Sequence, residues 1–272
     1  MSETLAAAGV PGWLVVALVA VLGLLVGSFL NVVVHRVPAG LSVVSPPSAC
    51  PGCGHQVRAR DNVPVLSWLL LRGRCRDCAA PISARYPLVE AGTGVAFGLT
   101  AWRVDDPVVL AAALVVVGAG IALALIDVDH QRLPFAITRV TTLLVVLVVI
   151  AGAAAGLTEV DWTAVGVSVG SWTLVYAVLH YGSGGRAMGL GDVALAPVLG
   201  LLLGLLGWPA ALIGLFAGFA IGTAVLLPLR VAGSLGRGVA VPHGPFMLAG
   251  AMLGLFAGVP LANTYLATLG IS

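Results

Sequence analysis

The sequence predicts an all-α integral membrane protein of about eight transmembrane helices, with a small cysteine-bearing domain between the first and the second. Three observations lead there. Of 272 residues, 60% are hydrophobic and only 9% are charged, too few ionised groups for the polar skin that a soluble domain of this length needs. The apolar residues fall in long unbroken runs, not in the period-two alternation of barrel strands. The four cysteines form two Cys-x-x-Cys pairs, Cys50/Cys53 and Cys75/Cys78, inside the one long segment that holds no such run.

The runs lie near residues 12–34, 87–103, 107–126, 137–157, 162–180, 193–206, 208–229 and 245–269. A helix of about 20 apolar residues crosses the hydrocarbon layer. The first run lacks a basic segment before it, so it reads as a retained helix and not as a cleaved signal. The second and sixth are short, and the sixth and seventh are parted only around Gly207, Trp208 and Pro209, so seven and nine are the alternatives to eight. The chain then divides into a first transmembrane helix (1–35), an extramembrane domain (36–86) and a polytopic domain (87–272).

Charge sets the orientation. All 13 basic residues are arginine. With eight spans, every arginine but Arg103 falls on one side, and Arg103 shares the other with Glu3, Asp105, Asp106, Glu159 and Asp161. Excess arginine marks the cytoplasmic face. The 36–86 domain is therefore expected in the cytoplasm and both termini outside it.

Thiolates two residues apart can share one tetrahedral zinc, and two such knuckles complete a four-sulfur site. Disulfides and unrelated free thiols are the other readings, and disulfides are disfavoured in a reducing cytoplasm. A segment of this size has little core of its own, which a structural metal would offset. Cys50, Cys53, Cys75 and Cys78 are thus expected to hold a structural zinc in a closed site, with His55 outside the ligand set.

The stretch ALIDVDHQRLP (124–134) ends an apolar run with two aspartates. Asp129 reads as a charge on a solvated helix end. Asp127 adjoins Leu125 and Ile126, and acidic groups at such depth are rare and usually functional. Residues two apart on a helix face nearly opposite ways, so a partner for Asp127 must come from elsewhere. The glycine-rich GSGGRAMGLGD (182–192) supplies Asp192 at the start of the sixth run. Alone it reads as a helix cap. Gly189 and Gly191 permit the close approach that could bring it against another helix end. Two facing carboxylates do not both ionise readily, so one keeps its proton while the other acts as base, as activation of water against an amide requires. Glu90 reads equally as a buried functional acid or a helix-start charge. The five histidines are scattered, and each reads as structural. Neither Gly-x-Ser-x-Gly nor His-Glu-x-x-His occurs. Gly200, Gly204 and Gly207 read as helix-packing surfaces.

In order, GSFLNVVVHRVP (27–38), CPGC, DNVPVLSWLLLRGRC (61–75), CRDC, PISARYPLVE (81–90), Asp127 through Pro134, GLGD (189–192) and Gly244-Pro245-Phe246 resemble the prepilin peptidases, or type IV leader peptidases, over almost the whole chain. These are integral membrane aspartic proteases. The resemblance implies Asp127 and Asp192 as the catalytic pair and the four cysteines within a cytoplasmic domain. It also implies a place in the bacterial inner membrane and type IV prepilins or pseudopilins as substrates, cut after a glycine on the cytoplasmic side. The lipid bilayer is the other partner, and no nucleic acid is expected. Many members also methylate the new N-terminus with S-adenosylmethionine. One position departs from the family pattern: Ala194 stands where a lysine usually follows the second aspartate by two residues.

Two other classes compete. An ion-coupled transporter would use intramembrane acids, but near the bilayer midplane and often within internal repeats. A presenilin-like intramembrane protease shares Gly-x-Gly-Asp, but not the cysteine-bearing loop.

Overall fold

The computed structural model describes residues 11–234 and 241–270. Glu3 and Arg237 of the charge comparison, and both chain ends, lie outside the described residues. Among the described residues the chain is helical, without strands, and pairs as β only in two isolated bridges, Ala49 with Gln56 and Arg74 with Pro81. The helices are α1 (Gly12–Arg36), the short α2 (Leu66–Leu70), α3 (Arg85–Arg103), α4 (Pro107–His130), α5 (Phe135–Ala154), α6 (Trp162–Gly182), α7 (Leu190–Gly204), α8 (Trp208–Val231) and α9 (Gly244–Thr268), the last with one π-helical turn at Gly254–Gly258.

Six of these, α1, α4, α5, α6, α8 and α9, are long and apolar enough to cross a membrane. The chain is a multi-pass membrane protein. The expected count of eight spans does not follow from length and composition. α3 and α7 coincide with the second and sixth apolar runs but fall short. α7 has 15 residues, about 22 Å at 1.5 Å per residue, against a hydrocarbon layer of about 30 Å. In α3, Arg85, Glu90 and several glycines and threonines dilute the apolar character.

By its contacts the chain forms two compact units, one up to Asp106 and one from Pro107. α3 belongs to the first unit, whereas the sequence division grouped it with residues 87–272. Within that unit α1 and α3 pack through small residues. A Cβ on Gly23 would stand 2.7 Å from the Thr93 carbonyl oxygen, and one on Gly27 would stand 2.8 Å from Glu90 Cα, so the two backbones run in close contact. Glu90 is a structural anchor: its Oε2 accepts the Val65 N–H at 2.7 Å. Val65 has φ +62°, a conformation that a β-branched residue adopts only when its surroundings impose it.

The second unit is built on the same physics. A Cβ on Gly200 would meet the Ser168 carbonyl oxygen at 2.7 Å, and one on Gly204 would meet Val165 Cα at 2.8 Å, so these two glycines do seat α7 on α6. Gly207 differs. It has φ +108° and makes the turn into α8, a conformation glycine tolerates without steric cost. Trp172, Tyr176, Leu199, Leu203, Met247 and Leu255 are fully buried at the centre, and the indole N–H of Trp172 donates to the Ala211 carbonyl at 2.9 Å.

Candidate active site and metal centre

In the first unit the two cysteine pairs fold as twin knuckles. The Cys50 N–H donates to the His55 carbonyl at 2.9 Å and the Gly54 N–H to the Cys50 carbonyl at 2.8 Å. The Cys75 N–H donates to the Ala80 carbonyl at 2.8 Å and the Ala79 N–H to the Cys75 carbonyl at 3.0 Å. Each turn needs a left-handed residue directly after its second cysteine, Gly54 at φ +73° and Ala79 at φ +57°. Arg58 of one knuckle pairs with Asp77 of the other at 2.6 Å, and Arg76 forks onto Asp61 at 2.6–2.9 Å. The Arg76 guanidinium holds the Asp61 carboxyl below its ordinary range.

All four sulfurs lie within 4.8 Å of one another, a cluster that could hold a metal ion. A tetrahedral zinc with bonds of about 2.3 Å sets its sulfurs about 3.8 Å apart, and Cys50 Sγ stands 3.8 Å from Cys78 Sγ. The N–H groups of Gly52 and Cys53 draw the Cys50 thiol down to about 7. The His55 N–H acts in the same direction on Cys53, but desolvation and the neighbouring sulfurs outweigh it and push that thiol up to about 12. One thiolate thus suppresses the next, a conflict that a cation at the centre removes.

The second unit gathers the aspartates at one end. Asp127 lies in the last turn of α4 and is only 5% exposed, while Asp129 two residues on is exposed. Asp127 Oδ2 accepts the N–H of Gly244, the first residue of α9, at 3.0 Å. Asp192, 7% exposed, is the third residue of α7, and its Oδ2 reaches back to the Gly189 N–H at 3.0 Å. The two carboxylates interact electrostatically. Neither aspartate is the N-cap residue itself. Gly189 holds that position, and Asp192 satisfies one of the helix's unpaired N–H groups.

Leu133 holds these pieces together. The chain leaves α4 through Gln131 at φ +52°, whose N–H donates to the Asp127 carbonyl at 2.7 Å. Leu133 then turns inward and is buried. A Cβ on Gly191 would meet Leu133 Cβ at 2.7 Å. A Cβ on Gly244 would meet Asp127 Oδ2 at 2.8 Å and Leu133 Cδ2 at 3.2 Å. Gly191 is the close approach expected of the glycine-rich motif; a Cβ on Gly189 would meet Asp192 Oδ2 at 3.3 Å and the Gly191 nitrogen at 3.9 Å, both in the first turn of α7.

Three residues of this end were not singled out as functional from the sequence. His180 Nδ1 lies 2.8 Å from the Met188 carbonyl, tying α6 to the loop before Gly189, and it interacts electrostatically with Asp192. The Tyr176 hydroxyl lies 3.2 Å from His243 Nε2. Burial pushes His243 down to about 4, so its ring is neutral. The signal for His243 was its place directly before Gly244-Pro245-Phe246. Tyr176 carries no local signal in an apolar helix. A cavity of about 300 Å³ opens beside them, lined by Met188, Phe219, Thr223, Leu227, Arg230 and His243 among others.

Residues 21–104 match the model of the bacterial peptidase A24 N-terminal domain, and residues 114–227 that of the type IV leader peptidase family. A prepilin leader peptidase/N-methyltransferase of Stutzerimonas stutzeri is 36% identical over 270 residues, covering 90% of this chain and 92% of the relative. Proteins of the same name from Pseudomonas aeruginosa (34% identical, 92% of each chain) and Neisseria gonorrhoeae (36%, covering 80% of this chain and 83% of the relative) are similar. No solved structure matches the chain. With its two parts matched in order and relatives aligned over nearly its whole length, the chain belongs to the type IV leader peptidase family.

Proposed function

We propose that this chain is a membrane aspartic endopeptidase that removes the leader of type IV prepilins or pseudopilins at the cytoplasmic face of the bacterial inner membrane, with Asp127 and Asp192 as its catalytic pair. One observation carries the reading: two buried carboxylates from separate helices lie near enough at one end of the helical unit for the charge of Asp127 to act on Asp192, each with one oxygen fixed by a backbone N–H. In each, Oδ1 is left for the reaction. One aspartate is ionised and takes a proton from water as the oxygen attacks the scissile carbonyl carbon. The other is protonated and donates to the carbonyl oxygen. The tetrahedral intermediate collapses with proton transfer to the amide nitrogen and cleavage of the C–N bond. A leader ending in a carboxyl group and a mature chain with a free amine leave, and no side chain is covalently modified.

The location supports this chemistry. Asp127 lies three residues from the end of α4, and Asp192 is the third residue of α7. A boundary site lets an apolar substrate helix remain in lipid while water reaches the carboxylates. An ion-coupled transporter would keep its acids near the helix middles. The arginine asymmetry supports the cytoplasmic side and extracytoplasmic termini.

The cysteine cluster is read as a structural zinc site: four thiolate ligands close the coordination shell and leave no position for substrate. The relatives' names also carry a methyltransferase. We extend N-methylation of the new amine, from S-adenosylmethionine, to this chain on those names. Co-expression with a prepilin, followed by mass measurement of the pilin's N-terminus, tests both activities. Loss of the leader is expected with wild type and not with Asp127→Asn or Asp192→Asn. A mature N-terminus that stays unmethylated with donor supplied would remove the second activity only.

A further inference from the structure

We propose that Tyr176 and His243 are positioning residues for the aspartate pair: the hydrogen bond between them pins the chain at residue 243, so that the next N–H, that of Gly244, is aimed at Asp127. The inference rests on the aspartate-pair reading above.

Tyr176 is fully buried in α6. Its ring is stacked between Trp172 (centroids 6.1 Å, planes 23° apart) and Phe219 (5.5 Å, 20°), so it has no room to swing. Its hydroxyl lies 3.2 Å from His243 Nε2, and the His243 ring packs on Phe219 at 5.3 Å. The Gly244 N–H then meets Asp127 Oδ2 at 3.0 Å. One peptide unit separates the clamped ring from that N–H, so displacing the ring re-aims the donor.

The charge of Asp192 also acts on the Tyr176 hydroxyl. The pair therefore joins the helix beside one aspartate to the helix start that holds the other. Packing alone would be met by phenylalanine at both positions. A buried hydroxyl and a buried imidazole each cost free energy unless paired; paired, they fix one geometry that apolar contacts leave free. Two carboxylates that must share a proton and a water need that fixed relation.

The test uses the full-length protein in detergent and a prepilin substrate, with kcat and KM measured for Tyr176→Phe, His243→Phe, the double variant and His243→Gln. We expect each phenylalanine variant to lower kcat about tenfold, with KM changed by no more than about twofold, because only the geometry of the reacting groups is disturbed. The double variant should be no worse than the worse single one, since both remove the same bond. His243→Gln, which keeps a hydrogen-bonding group near the Nε2 position, should recover most of the rate. Wild-type kcat in folded Tyr176→Phe overturns the proposal. So do losses that multiply in the double variant, or a fall in rate that tracks a fall in melting temperature with glutamine no better than phenylalanine. Asp127→Asn and Asp192→Asn run in parallel: activity surviving there would sink the aspartate-pair reading itself, whereas inactive aspartate variants beside an unaffected Tyr176→Phe would sink the clamp alone.

Discussion

Leu133 is where single-atom tolerances decide whether the site assembles. Gly191→Ala would bring a methyl group within 2.7 Å of Leu133 Cβ. We expect that overpacking to cost about 1–3 kcal/mol and to lower cleavage sharply. Thermal melting and prepilin cleavage can show both; a Gly191→Ala variant with wild-type rate would mean the contact is not limiting. A smaller effect belongs to Ala79, which holds a left-handed conformation at φ +57° where the twin knuckle has Gly54. Ala79→Gly should relieve up to about 1 kcal/mol of strain, read as greater hydrogen-exchange protection across residues 49–82. At this scale the sequence spoke unevenly. The contrast between Asp127 and Asp129 was legible because Leu125 and Ile126 adjoin one of them and polar residues follow the other. Tyr176 and His243 were not, because their meaning lies in a contact between α6 and the start of α9, and no spacing along the chain encodes it.

Elements are where periodicity and composition carry furthest and where they stop. The apolar runs located every long helix, since lipid demands that each span satisfy its own backbone. They could not settle the number of crossings, because α7 is short and α3 carries Arg85 and Glu90. Gly200 and Gly204 read as packing surfaces and seat α7 on α6, but the partner helix was not legible, and Gly207, read the same way, serves a turn instead. The knuckles were legible from Cys-x-x-Cys alone, while the Arg58–Asp77 pair that joins them was not. For this element we expect about one zinc per purified chain, with loss of zinc in Cys50→Ser or Cys75→Ser. Chelation should loosen residues 48–82 in hydrogen exchange. Metal-free protein with four freely titrating thiols and unchanged exchange would refute the site.

For the whole molecule, we propose a catalytic site at the lipid boundary of the second unit. Its proposed orientation rests on arginine placement. A cysteine introduced at position 105 should label from outside the cytoplasm, and labelling from the cytoplasm alone would invert the topology. The proposed substrate would give that boundary its purpose, since a polar leader and an apolar mature segment would meet at the bond to be cut. The central claim is that Asp127 and Asp192 act together on that bond. Its most direct test is the cleavage rate of a prepilin by the folded Asp192→Asn protein in detergent, beside Asp127→Asn and Asp129→Asn. We expect the first two to leave the leader intact and Asp129→Asn, altered on an exposed face, to retain substantial activity. Cleavage by Asp192→Asn at near the wild-type rate would contradict the two-aspartate mechanism.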